Sequence, residues 1–134
     1  MKKIIKFILF FALTFSSSLG DELAKEKIKI GLLVPLSGKN SEIGHSIVKA
    51  VRLAINQISN LSIEIIPKDT ASSPEITLRS AKEFDALGVK IIIGPVFNEN
   101  LIYLDELNNL IFLSLTNRNN NGSKNIINAG INAT

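Results

Sequence analysis

The sequence predicts an α/β fold, a doubly wound parallel sheet in a three-layer sandwich, and three observations carry that expectation. From Lys27 onward short β-type runs alternate with stretches of helical period, the order that βαβ units produce. Successive strand-like runs start about 20 to 35 residues apart, enough for a helical crossover between parallel neighbours. The runs are also almost wholly apolar, as strands covered on both faces should be.

The first strand is IKIGLLVPL, residues 28 to 36, which ends at Pro35 and Gly38. Ile43, Ile47, Val51, Ala54, Ile55 and Ile58 then recur at spacings of three and four, opposite His45, Lys49, Arg52 and Asn56, so an amphipathic helix of about four turns follows. LSIEIIPKD, residues 61 to 69, is the second strand, with a polar carboxyl end at Lys68 and Asp69. Ser73-Pro74-Glu75 supplies an N-cap, a first-turn proline and an acid at the positive end of the helix dipole. The second helix therefore starts there and stops at Gly88, with Leu78, Ala81, Phe84 and Leu87 on its core face and Glu75 within pairing reach of Arg79. VKIIIGP, residues 89 to 95, is the third strand, a shorter helix runs around Asn98 to Leu107, and LIFLSL, residues 110 to 115, is the fourth strand. The asparagine- and glycine-rich end reads as a long loop with a short strand at Ile126 to Ala129.

Residues 1–20 stand apart. Lys2, Lys3 and Lys6 precede the apolar stretch Phe7 to Phe15, and Ser18-Leu19-Gly20 has the small-x-small pattern of a cleavage site, so residues 1–20 are expected to be a secretory signal peptide and 21–134 the mature domain. The alternative, an uncleaved anchor, meets the difficulty that the run is well short of the ~20 residues a spanning helix needs. Without that segment 12 basic residues face 12 acidic ones, and the case for nucleic acid or an anionic membrane disappears. The chain has no cysteine, which excludes disulfides, thiolate metal sites, cysteine nucleophiles and a lipidated cysteine. No metal site and no cofactor is expected. His45 is the one histidine and sits on the polar helix face, where a solvated side chain is expected.

In an open parallel sheet, ligands bind outside the carboxyl ends of the strands, so the loops Ser37–Glu42, Asp69–Ser73, Val96–Asn100 and Thr116–Gly122 decide function. Asn98 can cap the following helix or offer its amide to a ligand. Arg118, beside Thr116 and Asn117, can clamp a carboxylate or stand exposed. The first loop has neither G-x-G-x-x-G nor G-x-x-x-x-G-K-[ST], which argues against nucleotides. An enzyme would have to use Asp69 and Glu99 as paired carboxylates, and nothing in the sequence brings them together.

Five pieces, IKIGLLVPLSGKNSEIG, HSIVKAVRLAINQI, DTASSPEITLRSAKEF, GVKIIIGPVF and IFLSLTN, resemble in order and spacing the type I periplasmic-binding proteins, in the branch of the leucine/isoleucine/valine-binding proteins. The resemblance covers Lys27 to Asn117. It implies an exported, periplasmic, non-enzymatic module with two lobes closing on a small solute such as an amino acid, delivered to an ABC transporter permease. Carried over by position, it places ligand contacts near Ile43 in the first loop, at Asn98 after the third strand, and at Thr116, Asn117 and Arg118 after the fourth; the side chain of Ser37 is expected to join them. Amino-acid binders of the family commonly carry small serine, alanine or threonine residues after these strands, whereas this chain has FNEN and LTNRN. PLSG, DT before the second helix, and GPVF are closer to the penicillin-binding protein activators, which share the fold; that branch implies a peptidoglycan synthase as partner and a regulatory role in cell-wall synthesis. About 114 residues follow the signal, roughly a third of what two lobes need, so the expected unit is an incomplete first lobe. Bare apolar sheet surface on such a unit is expected to promote oligomers.

Overall fold

The computed structural model describes residues 27–58, 62–117 and 123–130. The expected signal peptide and Arg118 lie outside the described residues. The strands β1 (Ile28–Val34), β2 (Ile63–Asp69), β3 (Ile91–Ile93), β4 (Ile111–Ser114) and β5 (Ile126–Asn128) form one sheet in the order β2-β1-β3-β4-β5. Every pairing is parallel, with Val34 opposite Asp69, Leu32 opposite Ile93, Ile93 opposite Leu113 and Ser114 opposite Asn128. The chain first steps from β1 to β2, then crosses back over β1 to β3 and continues outward. Helices α1 (Ser41–Asn56) and α2 (Pro74–Ala86) consequently lie on opposite faces, which is the doubly wound arrangement.

The strand pleat separates two cores. Leu32 and Val34 point to Val48 of α1, joined by Ile47, Val51, Ile65, Ile93 and Val96 at the margin. Leu33, Ile92, Phe112 and Ile126 point the other way, into a larger cluster with Ala81 and Phe84 of α2 and with Leu101, Leu104 and Leu110. Alternation along β1 thus places successive side chains in different cores.

Helix α2 begins as expected. The Ser73 hydroxyl accepts from the Ile76 N–H at 3.3 Å, Pro74 occupies the first turn, and Leu87 closes the helix before Gly88 at φ +73°. Glu75 accepts a 2.5 Å bond from the Ser73 hydroxyl, so its carboxylate serves the cap. The core face differs slightly from the expectation. Thr77, Ser80, Ala81 and Phe84 are buried, whereas Leu87 is 52 % exposed because the chain has already turned out at the C-cap.

Helix α1 is rotated from its expected face. Gly44 and Val48 are buried, while Ile43 is 45 % exposed. The cause is a close approach: a side chain at Gly44 would meet the Pro35 carbonyl oxygen at 1.8 Å, so only glycine lets the helix lean on the end of β1. His45 is exposed, on the polar flank.

The shorter helix expected around Asn98 to Leu107 is instead two 3₁₀ turns, Asn98–Leu101 and Leu104–Glu106. Tyr103 between them has φ +67°, a left-handed conformation that cuts any i→i−4 ladder. The buried residues Leu101 and Leu104 stand one in each turn, on either side of Tyr103. Among the described residues no helix is long and apolar enough to cross a membrane.

Candidate functional site

The loops that follow β1, β2, β3 and β4 all leave the same edge of the sheet, because the strands are parallel. Their mutual placement is fixed largely by Asp69. Its carboxylate accepts from the N–H groups of Leu36 at 2.7 Å, Ser37 at 3.3 Å and Ala71 at 2.7 Å. The bond to Ala71 closes the local turn after β2. Those to Leu36 and Ser37 reach across to the β1 loop, as the Val34–Asp69 register permits. A second tie runs from the Asn40 amide to the Ser72 hydroxyl at 3.0 Å. Between them, Ala71 and Ser72 are held at φ +47° and +57°, strained values for residues with a side chain.

Burial works to raise the Asp69 pKa, but the Ser37 hydroxyl and the N–H groups of Ala71, Leu36 and Ser37 outweigh it and hold the carboxyl below its ordinary value. A lowered pKa in the folded state adds stability that is fully present above the unfolded value, about 4, and is lost as pH falls through the folded one. Asp69→Asn is therefore expected to lower stability at pH 7 by about 1–2 kcal/mol, from weakened charged hydrogen bonds. The gap between variant and wild type should close as pH drops below about 4, measured by urea unfolding across that range. A gap independent of pH would contradict the role given to the carboxylate.

The loops after β3 and β4 form the cleft. Gly94 at φ +108° and the cis Gly94–Pro95 peptide turn the chain at the end of β3. Gly94 N–H donates to the Leu113 carbonyl at 2.8 Å and Leu115 N–H to that of Pro95 at 3.0 Å, so the two loops stay side by side beyond the strands. Between them lies a cleft of about 450 Å³ lined by Val96, Phe97, Asn98, Glu99, Leu115, Thr116 and Asn117. Its floor is firm. Thr116 is 4 % exposed, its hydroxyl lies 3.0 Å from that of Ser114, and its N–H donates to the same Ser114 oxygen at 3.3 Å.

Of the six residues singled out in sequence, Asn98, Thr116 and Asn117 line this one cleft. Asn98 is the first residue of its 3₁₀ turn, with Phe97 at the cap position and no side-chain capping bond, so the capping role does not hold. Ser37 is exposed on the β1 loop, its N–H turned to Asp69. Ile43 lies in the first turn of α1 rather than in the loop, and is not part of the cleft lining. Arg118 follows Asn117 outside the described residues. Asp69 and Glu99 are not brought together as a pair: Asp69 ends β2 and is bonded to Leu36, Ser37 and Ala71, whereas Glu99 lies beyond β3, and β1 runs between these two strands. Sequence reading missed the apolar walls Val96, Phe97 and Leu115; the signal was their position directly after an apolar strand at a parallel sheet's carboxyl end.

Among the described residues no group of three or more His, Cys, Asp and Glu side chains is placed to hold a metal ion. The chemistry available is hydrogen bonding by two carboxamides, one carboxylate at Glu99, and contact with aliphatic and aromatic walls. That combination suits non-covalent capture of a small organic molecule.

The fold is thus an open, doubly wound α/β lobe, and its apolar-walled, amide-lined cleft stands at the carboxyl ends of the strands, where such sheets bind ligands. The family follows from the sequence itself: residues 27–133 match the model of the periplasmic binding protein family, and the chain belongs to it. No curated protein matches the chain. Among solved structures, the leucine-binding protein LivK of Thermotoga maritima is similar at a TM-score of 0.67 with 20% identity, over 74% of this chain and 31% of that one. A solute-binding protein of an ABC transporter from Rhodopseudomonas palustris BisB5, in complex with 3,4-dihydroxybenzoic acid, aligns at 0.62 with 26% identity, over 67% of this chain and 27% of that one. Full-length LpoA from Haemophilus influenzae aligns at 0.61 with 22% identity, over 90% of this chain and 23% of that one. The chain thus spans between about a quarter and a third of the length of these proteins.

Proposed function

We propose that the chain is a non-enzymatic, extracytoplasmic solute-binding module, the first part of a lobe that holds a small organic molecule at the carboxyl ends of its strands. The observation that carries this is the cleft between the β3 and β4 loops. Its volume, about 450 Å³, falls within the roughly 300–1,000 Å³ usual for small-ligand sites, and its apolar walls meet converging amides. Asn98 and Asn117 offer both donors and acceptors, and Glu99, the charged residue of the lining, favours a ligand that donates through an ammonium or hydroxyl group. Ser37, exposed on the β1 loop, and Arg118, next in sequence to Asn117, are assigned to the same site in this reading. An amino acid or a hydroxylated aromatic acid fits this chemistry, and proteins of similar fold include a leucine-binding protein and a solute-binding protein in complex with 3,4-dihydroxybenzoic acid. Residues 1–20 serve as the export signal in this reading, and an ABC transporter permease is the partner.

A thermal-shift and calorimetric series with L-leucine, other free amino acids and hydroxybenzoates tests the proposal. A saturable stabilisation is expected, lost in Asn98→Ala/Asn117→Ala while the unliganded melting temperature changes little, since the Asn117 side chain is exposed and Asn98 half-buried. At ligand concentrations of 100 times Kd, the stabilisation should approach about 2.7 kcal/mol. No shift with any of these from a cooperatively folding chain would count against a solute site.

A second reading is favoured by one observation: the similarity to LpoA extends over 90% of this chain, further than that to the solute-binding proteins quoted above. In it the same strand-end loops contact a peptidoglycan synthase and regulate cell-wall synthesis. Binding of a purified synthase by a chain silent toward solutes would select this reading.

A further inference from the structure

Asn100 is 1 % exposed, and neither the nitrogen nor the oxygen of its carboxamide has a hydrogen-bond partner. A donor and an acceptor closed off from water and left unpaired destabilise a fold, and buried carboxamides are ordinarily bonded. Asn125, also buried, shows the ordinary case: its Nδ2 donates to the carbonyls of Leu104 and Leu107, both at 3.1 Å. The contrast does not depend on what else covers the molecule, since both Asn100 atoms are already enclosed.

Asn100 is the third residue of the 3₁₀ turn Asn98–Leu101, whose first two residues line the cleft together with Phe97 before them. Phe97 holds the cap position, at φ −104° and ψ 142°, and its carbonyl accepts from the Asn100 N–H at 3.1 Å. A side chain at the cap lies over the third residue of its turn, where a polar one would bond that residue's N–H. Phe97 is half-buried and lines the cleft, so Asn100 lies one layer behind the wall and Phe97 is the side chain that separates the two. The turn is short enough to move as a unit. Phe97 and Ile102, at φ −56° and ψ 127°, bound it with non-helical backbone, and Leu101 anchors it in the larger core.

We propose that Asn100 is a recognition residue of the strand-end cleft, reached when Phe97 turns aside, and that the end of the ligand it takes is a hydroxyl or a primary carboxamide. The inference rests on the reading of the cleft as a solute site and narrows the solute. A carboxamide offers an N–H donor and a C=O acceptor side by side. A hydroxyl or a second carboxamide answers both. A methyl group leaves both unpaired, and a carboxylate, which only accepts, sets its oxygens against the Asn100 carbonyl. The rest of the ligand stays at the outer lining, with Asn98, Glu99 and Asn117.

The test uses probes that differ in that group alone, 4-hydroxybenzoate against benzoate and L-glutamine against L-glutamate, titrated calorimetrically into the full chain and into Asn100→Leu. Wild type should favour the first member of at least one pair by about 10-fold or more in Kd, the effect of leaving buried polar groups unmatched. Asn100→Leu, close in shape and without polar side-chain atoms, should unfold at an equal or higher urea concentration than wild type and lose the preference. A second measurement requires no variant to fold: in the wild type, the Asn100 side-chain NH2 resonances should move with the preferred probe and not with its partner. Binding without preference, or a preference that survives in Asn100→Leu, overturns the inference and leaves the solute site standing. So does binding of L-leucine or another solute by a chain that takes none of the four probes. An Asn100→Leu variant less stable than wild type, with NH2 resonances that no probe moves, would make Asn100 a structural residue and overturn it as well. A folded chain silent to every solute removes the inference together with the reading beneath it.

Discussion

Gly94→Ala is expected to destabilise the protein by about 2–5 kcal/mol and to abolish binding at the strand-end cleft. Two costs add. Gly94 has φ +108°, where an L side chain is strained by about 1–3 kcal/mol. A Cβ there would also sit 2.2 Å from the Leu33 carbonyl oxygen, in the middle of the sheet, and backbone rather than a yielding side chain would have to move. Relief requires β3 to draw away from β1, which disturbs the Leu32–Ile93 pairing and swings the Val96–Glu99 wall of the cleft. Urea unfolding reads the first effect and ligand titration the second. A variant within about 1 kcal/mol of wild type would show that β3 can shift freely, against the close approach of Gly94 to the Leu33 carbonyl.

Phe84→Ala is expected to cost about 3–5 kcal/mol, the range for emptying a fully buried aromatic site. Phe84 is 0 % exposed and joins α2 to the strands of the larger core. Its ring occupies space that only a glycine leaves on β1: a Cβ at Gly31 would approach the ring to 2.9 Å. The Lys68 ammonium lies 5.5 Å from the ring centroid, and Lys68 also pairs with Glu83 beside it. The glycine supplies a second prediction on the same pair. Gly31→Ala should destabilise the wild type but cost less, or gain, in the Phe84→Ala background, because the added methyl then enters a cavity. Additive effects would mean that ring and glycine do not share that space.

The strands were legible because apolar runs bounded by Gly, Pro and polar residues leave little choice in an alternating α/β chain. Helix α2 was equally legible, since Ser73, Pro74 and Glu75 act locally and the cap formed as their chemistry dictates. What failed depended on contacts distant in sequence. The rotation of α1 follows from Gly44 meeting the Pro35 carbonyl, a contact that helical period cannot reveal. The segment from Asn98 to Glu106 carried helix-like spacing, yet the left-handed Tyr103 divides it. At the candidate site, the topological rule for parallel sheets located the loops before any side chain was weighed. The choice of Asn98, Thr116 and Asn117 rested on their polar chemistry and on position in the family resemblance, and so passed over Val96, Phe97 and Leu115, which line the same cleft. Asp69 was read as finishing its own turn. That bond exists, but its reach to Leu36 and Ser37 depends on the register of β1 with β2, which is set only in the folded sheet.

In the proposed function, solute binding takes place at the carboxyl ends of the strands, between the β3 and β4 loops. Mapping of backbone amide chemical shifts during titration with L-leucine and with hydroxybenzoates tests it most directly. Saturable changes are expected at residues 96–100 and 115–117, with smaller ones at 36–40, and those changes should be lost in Asn98→Ala/Asn117→Ala. Changes confined to the opposite, amino-terminal end of the sheet, around Lys29, Glu64 and Gly88, would contradict it.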